Sequence, residues 1–221
     1  MFTPIRVIGL FIISLILLTS CQKNSKVFKP TTTIIDGQFT SMQGPVIIFQ
    51  GKNEIKVPVD PNGKFRIDTK LEAAGVYKIS FGYDALSVFL IPGDKISVTG
   101  DIRTLLSGTK FTGDRANENN FLISFENLKQ TSQPHDFQAF FSQSEEDFIA
   151  AIEKRTNELN QHQQEYQKQN GPFETIFAEI ISQDLKYDEA IVKLNYPLYH
   201  KYYNPDQSLQ LSDTYDSFLQ N

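Results

Sequence analysis

The sequence contains a single cysteine, Cys21, and no tryptophan. One cysteine can form neither a disulfide within the chain nor a Cys-x-x-Cys pair. The sequence also has no Gly-x-Ser-x-Gly motif and no pair of histidines at helical metal-binding spacing. These absences exclude dithiol redox chemistry by this chain, and they leave no motif for another class of enzyme. We therefore expect no catalytic residues, no cofactor and no metal site.

The first 21 residues have the pattern of a secretory signal. Arg6 supplies a positive charge, and Val7 to Leu18 is almost entirely apolar. This segment is shorter than the roughly 20 apolar residues that span a bilayer, and the small residue Ser20 before Cys21 is typical of a cleavage site. The pattern resembles the bacterial lipobox, which implies cleavage between Ser20 and Cys21 and attachment of lipid to Cys21. An uncleaved N-terminal anchor is the alternative, and it also predicts membrane attachment.

The residues after Cys21 predict where the anchored protein lies. Gln22 occupies the position at which an aspartate would resemble an inner-membrane retention signal, so the outer membrane is favoured. No acidic cluster of the kind found in surface-exported lipoproteins follows the cysteine, which favours the periplasmic side. Gln22 to Lys29 is polar and basic, and we interpret residues 21–32 as the lipidated cysteine and its tether.

Charge is distributed unequally along the chain. Gln22 to Arg115 contains 13 Lys and Arg against 9 Asp and Glu, whereas Ala116 to Asn221 contains 7 against 17. Nucleic-acid binding needs clustered positive charge, so the acidic second half argues against a nucleic-acid partner. A solvated helical surface explains the asymmetry most simply; attraction between the halves, or to a basic partner domain, is the alternative.

Residues 33–113 show about eight short runs of strand character, separated by turn residues. Glu54 to Val59 alternates apolar and polar residues, as expected of a half-buried strand. The turn sequence Asp60-Pro61-Asn62-Gly63 follows it, and Phe65 and Ile67 then alternate with charged residues, which predicts a hairpin. The spacing predicts an antiparallel β-sandwich or an open barrel.

Residues 114–221 have helical periodicity instead. We expect Asp114 to cap a helix over Ala116 to Lys129, and Ser144 to open a second helix that runs to Asn170. Gly171-Pro172 separates it from a third, strongly apolar helix, which we take as the helical core and which Pro197 should kink or interrupt. Ser212 should cap a last short helix. The fold class is thus α+β, with a signal peptide at 1–20, a tether at 21–32, a β domain at 33–113 and a helical domain at 114–221.

Turn signals at characteristic spacing carry a resemblance to a known family. They are Gly37-Gln38-Phe39, the segment from Asp60 to Phe65, Gly75-Val76-Tyr77-Lys78, Ile91-Pro92-Gly93-Asp94, and Phe111-Thr112-Gly113-Asp114 with Asn119 nearby. Together with the helical half, they resemble the N-terminal region of Bacteroidetes-type thiol-disulfide oxidoreductase lipoproteins, the TlpA/ResA-like branch of the thioredoxin superfamily. In that family a thioredoxin-like domain with a Cys-x-x-Cys motif follows the helical segment.

The resemblance implies an accessory role without chemistry of its own. No residue of this chain matches the catalytic cysteines of the family, because Cys21 is committed to lipid. Either the sequence is a fragment of a longer enzyme or it is a stand-alone copy of the accessory region. We expect a partner thioredoxin-like domain, supplied in cis beyond Asn221 or in trans.

Other candidate sites are weaker. An aromatic group near Pro197 could be a peptide or glycan platform, although packing between helices explains it more simply; it consists of Tyr187, Tyr196, Tyr199, Tyr202 and Tyr203. Glycines from Gly108 to Gly113 have P-loop spacing, but Asp114 stands where the phosphate-binding lysine is needed. His162 and Glu165 share a helix face without further metal ligands. The alternative function is therefore a stand-alone lipoprotein that binds a peptide or a glycan.

Overall fold

A computed structural model describes residues 31–42 and 44–220, and its strands and helices have the order expected of an α+β chain. The strands are Thr32–Thr40 (β1), Val46–Gln50 (β2), Glu54–Pro58 (β3), Lys64–Lys70 (β4), Gly75–Phe81 (β5), Asp84–Leu90 (β6), Lys95–Asp101 (β7) and Lys110–Gly113 (β8). The helices are Leu105–Gly108 (α1), Ala116–Thr131 (α2), Phe137–Phe141 (α3), Glu145–Asn170 (α4) and Thr175–Tyr203 (α5). Short 3-10 helices occupy Ile102–Thr104 and Tyr215–Gln220.

The strands form two four-stranded sheets, in the orders β4-β1-β7-β8 and β3-β2-β5-β6. Neither sheet closes on itself, so the prediction of a sandwich is confirmed and the described strands make no closed barrel. All strand pairs are antiparallel except β1 with β7, which run parallel. Local alternation could not predict this parallel pair, because it joins strands from opposite ends of the β half.

Alternating apolar residues from both sheets fill the space between them. Ile35 and Phe39 of β1 are buried there, as are Phe65 and Ile67 of β4. The ring of Phe65 covers Gly37, where an added Cβ would lie 2.0 Å from the ring. Only glycine fits at this position, so the Gly-Gln-Phe sequence of β1 is explained by core packing.

The turn at residues 60–63 forms as predicted, but it does not make a hairpin. Asp60 Oδ1 accepts hydrogen bonds from the amides of Asn62 and Lys64, each 2.8 Å long, and Gly63 has a φ of +75°. The strands on either side belong to different sheets, since β3 pairs with β2 and β4 pairs with β1. The hairpin prediction was wrong because two strands that face one core alternate in the same way whether or not they pair.

The predicted helices are present, with some differences at their ends. Ser144 caps α4 through its Oγ, which accepts a hydrogen bond from the Asp147 amide, and the helix ends at Asn170 as expected. The Asp114 cap was wrong, because Arg115 is the residue before α2 and has a φ of +56°. Asp114 instead accepts a hydrogen bond from the amide of Lys95 at the start of β7. No described helix is both long and apolar enough to cross a membrane.

The first turn of α2 joins the edge strands of both sheets. Asn119 is fully buried; its Oδ1 accepts from the Phe89 amide at 2.7 Å, and its Nδ2 donates to the Phe89 carbonyl at 2.9 Å. Asn120 makes the same pair of bonds to Phe111, at 2.9 and 3.0 Å. Phe89 lies in β6 and Phe111 in β8, the edge strands on one side of the sandwich. The two asparagines therefore satisfy backbone groups that an edge strand leaves unpaired.

Two further apolar clusters fix the helices on the sandwich and on each other. Phe89 points away from the sandwich core and contacts Phe177 of α5, with ring centroids 4.9 Å apart. Phe121 of α2 also packs in this cluster. The last cluster joins α3, α4 and α5 to the C-terminal segment, and Phe148 and Tyr196 stack there with centroids 3.9 Å apart.

Pro197 does not end α5, which continues to Tyr203. A proline has no amide hydrogen, so the carbonyl four residues earlier, that of Lys193, loses its usual helical donor. The hydroxyl of Tyr215 donates to this carbonyl at 2.7 Å. Tyr215 is buried and thus replaces the missing hydrogen bond from the C-terminal segment.

We expect Asn119→Ala to lower the free energy of unfolding by about 3 kcal/mol, because it leaves two buried backbone groups of Phe89 without partners. Urea unfolding measures the loss. Asn120→Ala is the matched control and should cost about 1 kcal/mol, since Asn120 is only partly buried and water can replace its side chain. Equal losses in the two variants would contradict this account of α2.

We expect Tyr215→Phe to cost about 1 to 2 kcal/mol of stability in the natural sequence. In a Pro197→Ala background the same change should cost about 1 kcal/mol less, because the amide of the new alanine can donate to the Lys193 carbonyl. A double-mutant cycle by urea unfolding measures this coupling. Additive effects would show that Tyr215 does not compensate for the proline.

Candidate functional site

The tyrosines singled out in the sequence separate into a buried and an exposed set. Tyr196 is fully buried, and its hydroxyl donates to the Gln143 carbonyl at 2.7 Å. Tyr203 is partly buried, whereas Tyr187, Tyr199 and Tyr202 are exposed. Tyr196 therefore belongs to the core, and the exposed tyrosines share one long helix, α5. Ser20 and Cys21 lie outside the described residues.

The exposed side of α5 also presents aliphatic residues. Five large side chains at spacings of four, three, four and four residues are each between 54% and 74% exposed: Tyr187, Ile191, Leu194, Leu198 and Tyr202. At 100° per residue these positions fall within one narrow arc of the helix, and they extend over about 22 Å. We call these five residues the α5 stripe. Tyr199, 41% exposed, lies beside it.

The α5 stripe has no charged residue among its exposed neighbours over most of its length. Between Tyr187 and Tyr199 every exposed position of α5 is aromatic or aliphatic, and Lys186 and Lys201 flank the stripe at its two ends. Surface helices normally place charged and polar residues on their solvent side. A contiguous apolar patch of this kind marks an interaction site.

The sequence predicted that this strongly apolar helix would form the helical core, whereas the structure exposes its residues Ile191, Leu194 and Leu198. Helix α5 has two apolar sides, and the side with Phe177 and Ile181 is the one that is buried. Periodicity shows that a helix has apolar residues at helical spacing, but it cannot show which of two sides faces the core. The sequence did contain one signal of the exposed side: α5 has more apolar residues than a single buried helix face can hold.

A cavity of about 360 Å³ lies on another side of α5, against α3 and α4. Its walls include Phe137, Ile152 and Val192, and Arg155 and Asp188 line it as an ion pair. Lys129 lies 3.6 Å from the same Asp188 carboxylate. An apolar cavity with a few polar groups is typical of small-ligand sites, but its charges already compensate each other.

His162 lies near a serine, but the pair lacks the parts of a catalytic site. Its Nε2 is 2.9 Å from Ser124 Oγ, and its ring stacks on Phe121 with centroids 5.6 Å apart. Glu165 accepts a hydrogen bond from Gln161, and the described contacts of the His162 ring include no orienting carboxylate. Burial lowers the pKa of His162, while Glu165 acts in the opposite direction. The described residues contain no cluster of ligands that could hold a metal.

The P-loop-like glycines are also structural. Gly108 ends α1, and Lys110–Gly113 is strand β8, whose Phe111 amide is bound by Asn120. A phosphate-binding loop needs free amides at this position.

The sequence matches no protein-family model and no curated protein. The function of the chain must therefore be inferred from its own geometry. In the described residues, the α5 stripe is an exposed apolar surface that the packing of the fold does not explain.

We expect His162 to make the protein less stable as the pH falls below about 6.5. Its pKa in the folded protein is lowered, so the unfolded chain binds the proton at higher pH, and stability present above the unfolded pKa is lost below it. Urea unfolding at about pH 7.5 and about pH 5.5 measures the decline. His162→Gln should reduce the decline, and His135→Gln, at an exposed position, should not. Equal declines in both variants would contradict this assignment.

Proposed function

We propose that this chain is a lipid-anchored, non-catalytic module of the cell envelope that works by docking another protein domain. The observation that carries the proposal is the α5 stripe, a 22 Å apolar surface on a helix that the fold already holds rigidly. Such a surface is costly to leave in water, at about 25 cal/mol per Å². A protein partner that covers it accounts for residues that neither the core nor any chemistry requires.

The residues that carry the family resemblance have structural roles, which supports a scaffold without catalysis. Gly113 has a φ of +90°, and an added Cβ there would meet the Lys95 carbonyl at 2.6 Å. Asp94 is buried and accepts a hydrogen bond from the Ile91 amide at 2.7 Å. Burial raises the pKa of Asp94, and the Ile91 amide and Arg115 partly offset this. Together with Asn119, these residues hold turns and strands in place.

The resemblance to TlpA/ResA-like lipoproteins names the class of partner. A thioredoxin-like domain, following in cis or binding in trans, would supply the Cys-x-x-Cys chemistry that this chain lacks. Lipid on Cys21 would hold the assembly at the outer membrane on its periplasmic side. In this proposal the chain contributes position and rigidity to a thiol-disulfide oxidoreductase.

A second candidate function is peptide binding. The cavity beside α5 favours it over glycan binding, because Phe137, which is half exposed, and Ile152 and Val192 provide apolar walls rather than a polar sugar site. The stripe tyrosines lie on a convex helix surface, whereas small-ligand sites are concave. Docking of a protein domain accounts for more of the exposed apolar residues.

The proposed function predicts binding without chemistry. The full chain with Cys21→Ser should not accelerate the reduction of insulin by dithiothreitol, because it contains no thiol. Added to a purified TlpA/ResA-type thioredoxin-like domain, the same protein should bind it, as measured by titration calorimetry. Reduction of insulin by the Cys21→Ser chain alone would contradict the proposal.

The anchor and the cis form are tested on the native protein. Mass spectrometry of the protein from its own membranes should identify an N-terminal Cys21 that carries acyl chains. A mass larger by one domain, roughly 100 to 150 residues, would show that the partner follows in cis. An unlipidated Cys21, or a chain that neither binds a thioredoxin-like domain nor contains one, would overturn the proposed function.

A further inference from the structure

The cavity of about 360 Å³ between α3, α4 and α5 has apolar walls and an opening to solvent. Phe140, Ile152 and Val192 are partly or fully buried along its walls, whereas Gln133 and Phe137 are exposed. The volume lies near the lower end of the range for ligand pockets, which is about 300 to 1,000 Å³. The cavity is therefore large enough for one large apolar side chain with its neighbouring backbone, and a longer chain can enter and leave past the exposed residues.

The charged groups beside the cavity are paired within the protein. Arg155 forms an ion pair with Asp188, and Lys193 donates to Glu189 Oε1 at 2.6 Å. Lys129 lies 3.6 Å from the other oxygen of Asp188. A ligand with a net charge would be repelled by one member of each pair as much as it is attracted by the other. These pairs therefore favour an uncharged ligand.

One hydrogen-bond donor of Arg155 has no partner among the described residues. Its Nη1 donates to Asp188 and its Nη2 donates to the Lys129 carbonyl at 3.3 Å, but its Nε is buried and unpaired. An unpaired buried donor is destabilising, and a ligand oxygen or an ordered water can supply the missing acceptor. Because the surrounding charges compensate each other, a neutral carbonyl oxygen suits this position better than a carboxylate.

We propose that the cavity binds one large apolar residue from the interior of a peptide segment. The side chain of that residue lies among Phe137, Ile152 and Val192. Its main-chain carbonyl accepts a hydrogen bond from Nε of Arg155. A terminal carboxylate is disfavoured, because it would approach the acidic members of the ion pairs. This inference rests on the second candidate function, peptide binding, and it is independent of the α5 stripe, which lies on another side of α5.

Three small peptide analogues test the chemistry of the ligand, with NMR titration of the full chain as the measurement. N-acetylphenylalaninamide should bind about 10-fold or more tightly than N-acetylglycinamide, because its side chain is buried in the cavity. N-acetylphenylalanine, which carries a free carboxylate, should bind more weakly than the phenylalanine amide. Equal binding of the two amides, tighter binding of the carboxylate, or no binding of any of the three compounds overturns the proposal.

Two adjacent alanines of α4 provide matched variants. Ala151 lines the cavity, whereas Ala150 is exposed and does not line it. Ala151→Leu should fill part of the cavity and weaken binding of N-acetylphenylalaninamide by about 10-fold or more, while Ala150→Leu should leave it unchanged. Arg155→Lys keeps a positive charge for Asp188 but removes Nε, and it should weaken binding by about 3-fold or more. Circular dichroism confirms that each variant folds.

The outcomes separate this site from the other proposed functions. If the phenylalanine amide binds but neither Ala151→Leu nor Arg155→Lys weakens it, the cavity assignment is wrong while peptide binding stands. Leu194→Glu, in the α5 stripe, should not change the affinity for the phenylalanine amide, and a loss of affinity there would also overturn the assignment. Docking of a thioredoxin-like domain should be the same in Ala151→Leu as in the natural sequence, so that the docking function fails or stands by its own test.

Discussion

Two adjacent asparagines at the start of α2 hydrogen-bond to the edge strands of both sheets, and the rest of the fold depends on this contact. Asn119 binds both backbone groups of Phe89 in β6, and Asn120 binds both backbone groups of Phe111 in β8. One helical turn thus covers the open side of the sandwich. It also sets the direction of α2, against which α4 packs. The orientation of the helical layer therefore follows from the hydrogen bonds that the two asparagines make to backbone groups of the edge strands.

Helix α5 packs into the core with one side and presents the proposed functional surface on another. Its buried side reaches the sandwich through Phe177 and the other helices through Tyr196. Its middle carries Pro197, which has no amide hydrogen to donate to the Lys193 carbonyl, and the hydroxyl of Tyr215 from the C-terminal segment donates to that carbonyl instead. The helix is therefore held on three sides by the fold. Another side carries the α5 stripe, whose five residues are each more than half exposed.

The sequence allowed most of the elements to be predicted, because strands and helices depend on local periodicity. The strands from β1 to β7 follow alternation, and Ser144 and Gly171 mark the two ends of α4. Pairing is not local, so the parallel contact of β1 with β7 and the separation of β3 from β4 were missed. Asp114 was assigned to a helix cap because its partner, the Lys95 amide, is distant in the sequence.

The candidate site was predicted only in part, for a related reason. The sequence drew attention to tyrosines near Pro197, and three of them are exposed on α5. It could not show that Tyr196 is buried or that Leu194 is exposed, because both positions fit an apolar helix. The difference between them is decided by which side of α5 meets Phe148 of α4 and the sandwich. That choice depends on the whole helical layer.

The central claim is that the α5 stripe is covered in the native protein. Hydroxyl-radical footprinting of the protein in its own membranes, read by mass spectrometry, tests it most directly, because Tyr83 on the β5–β6 turn provides a fully exposed internal reference. The account predicts that Tyr187 and Tyr202 are modified much more slowly than Tyr83. Modification of all three tyrosines at similar rates would show that the stripe faces solvent, and it would contradict the account.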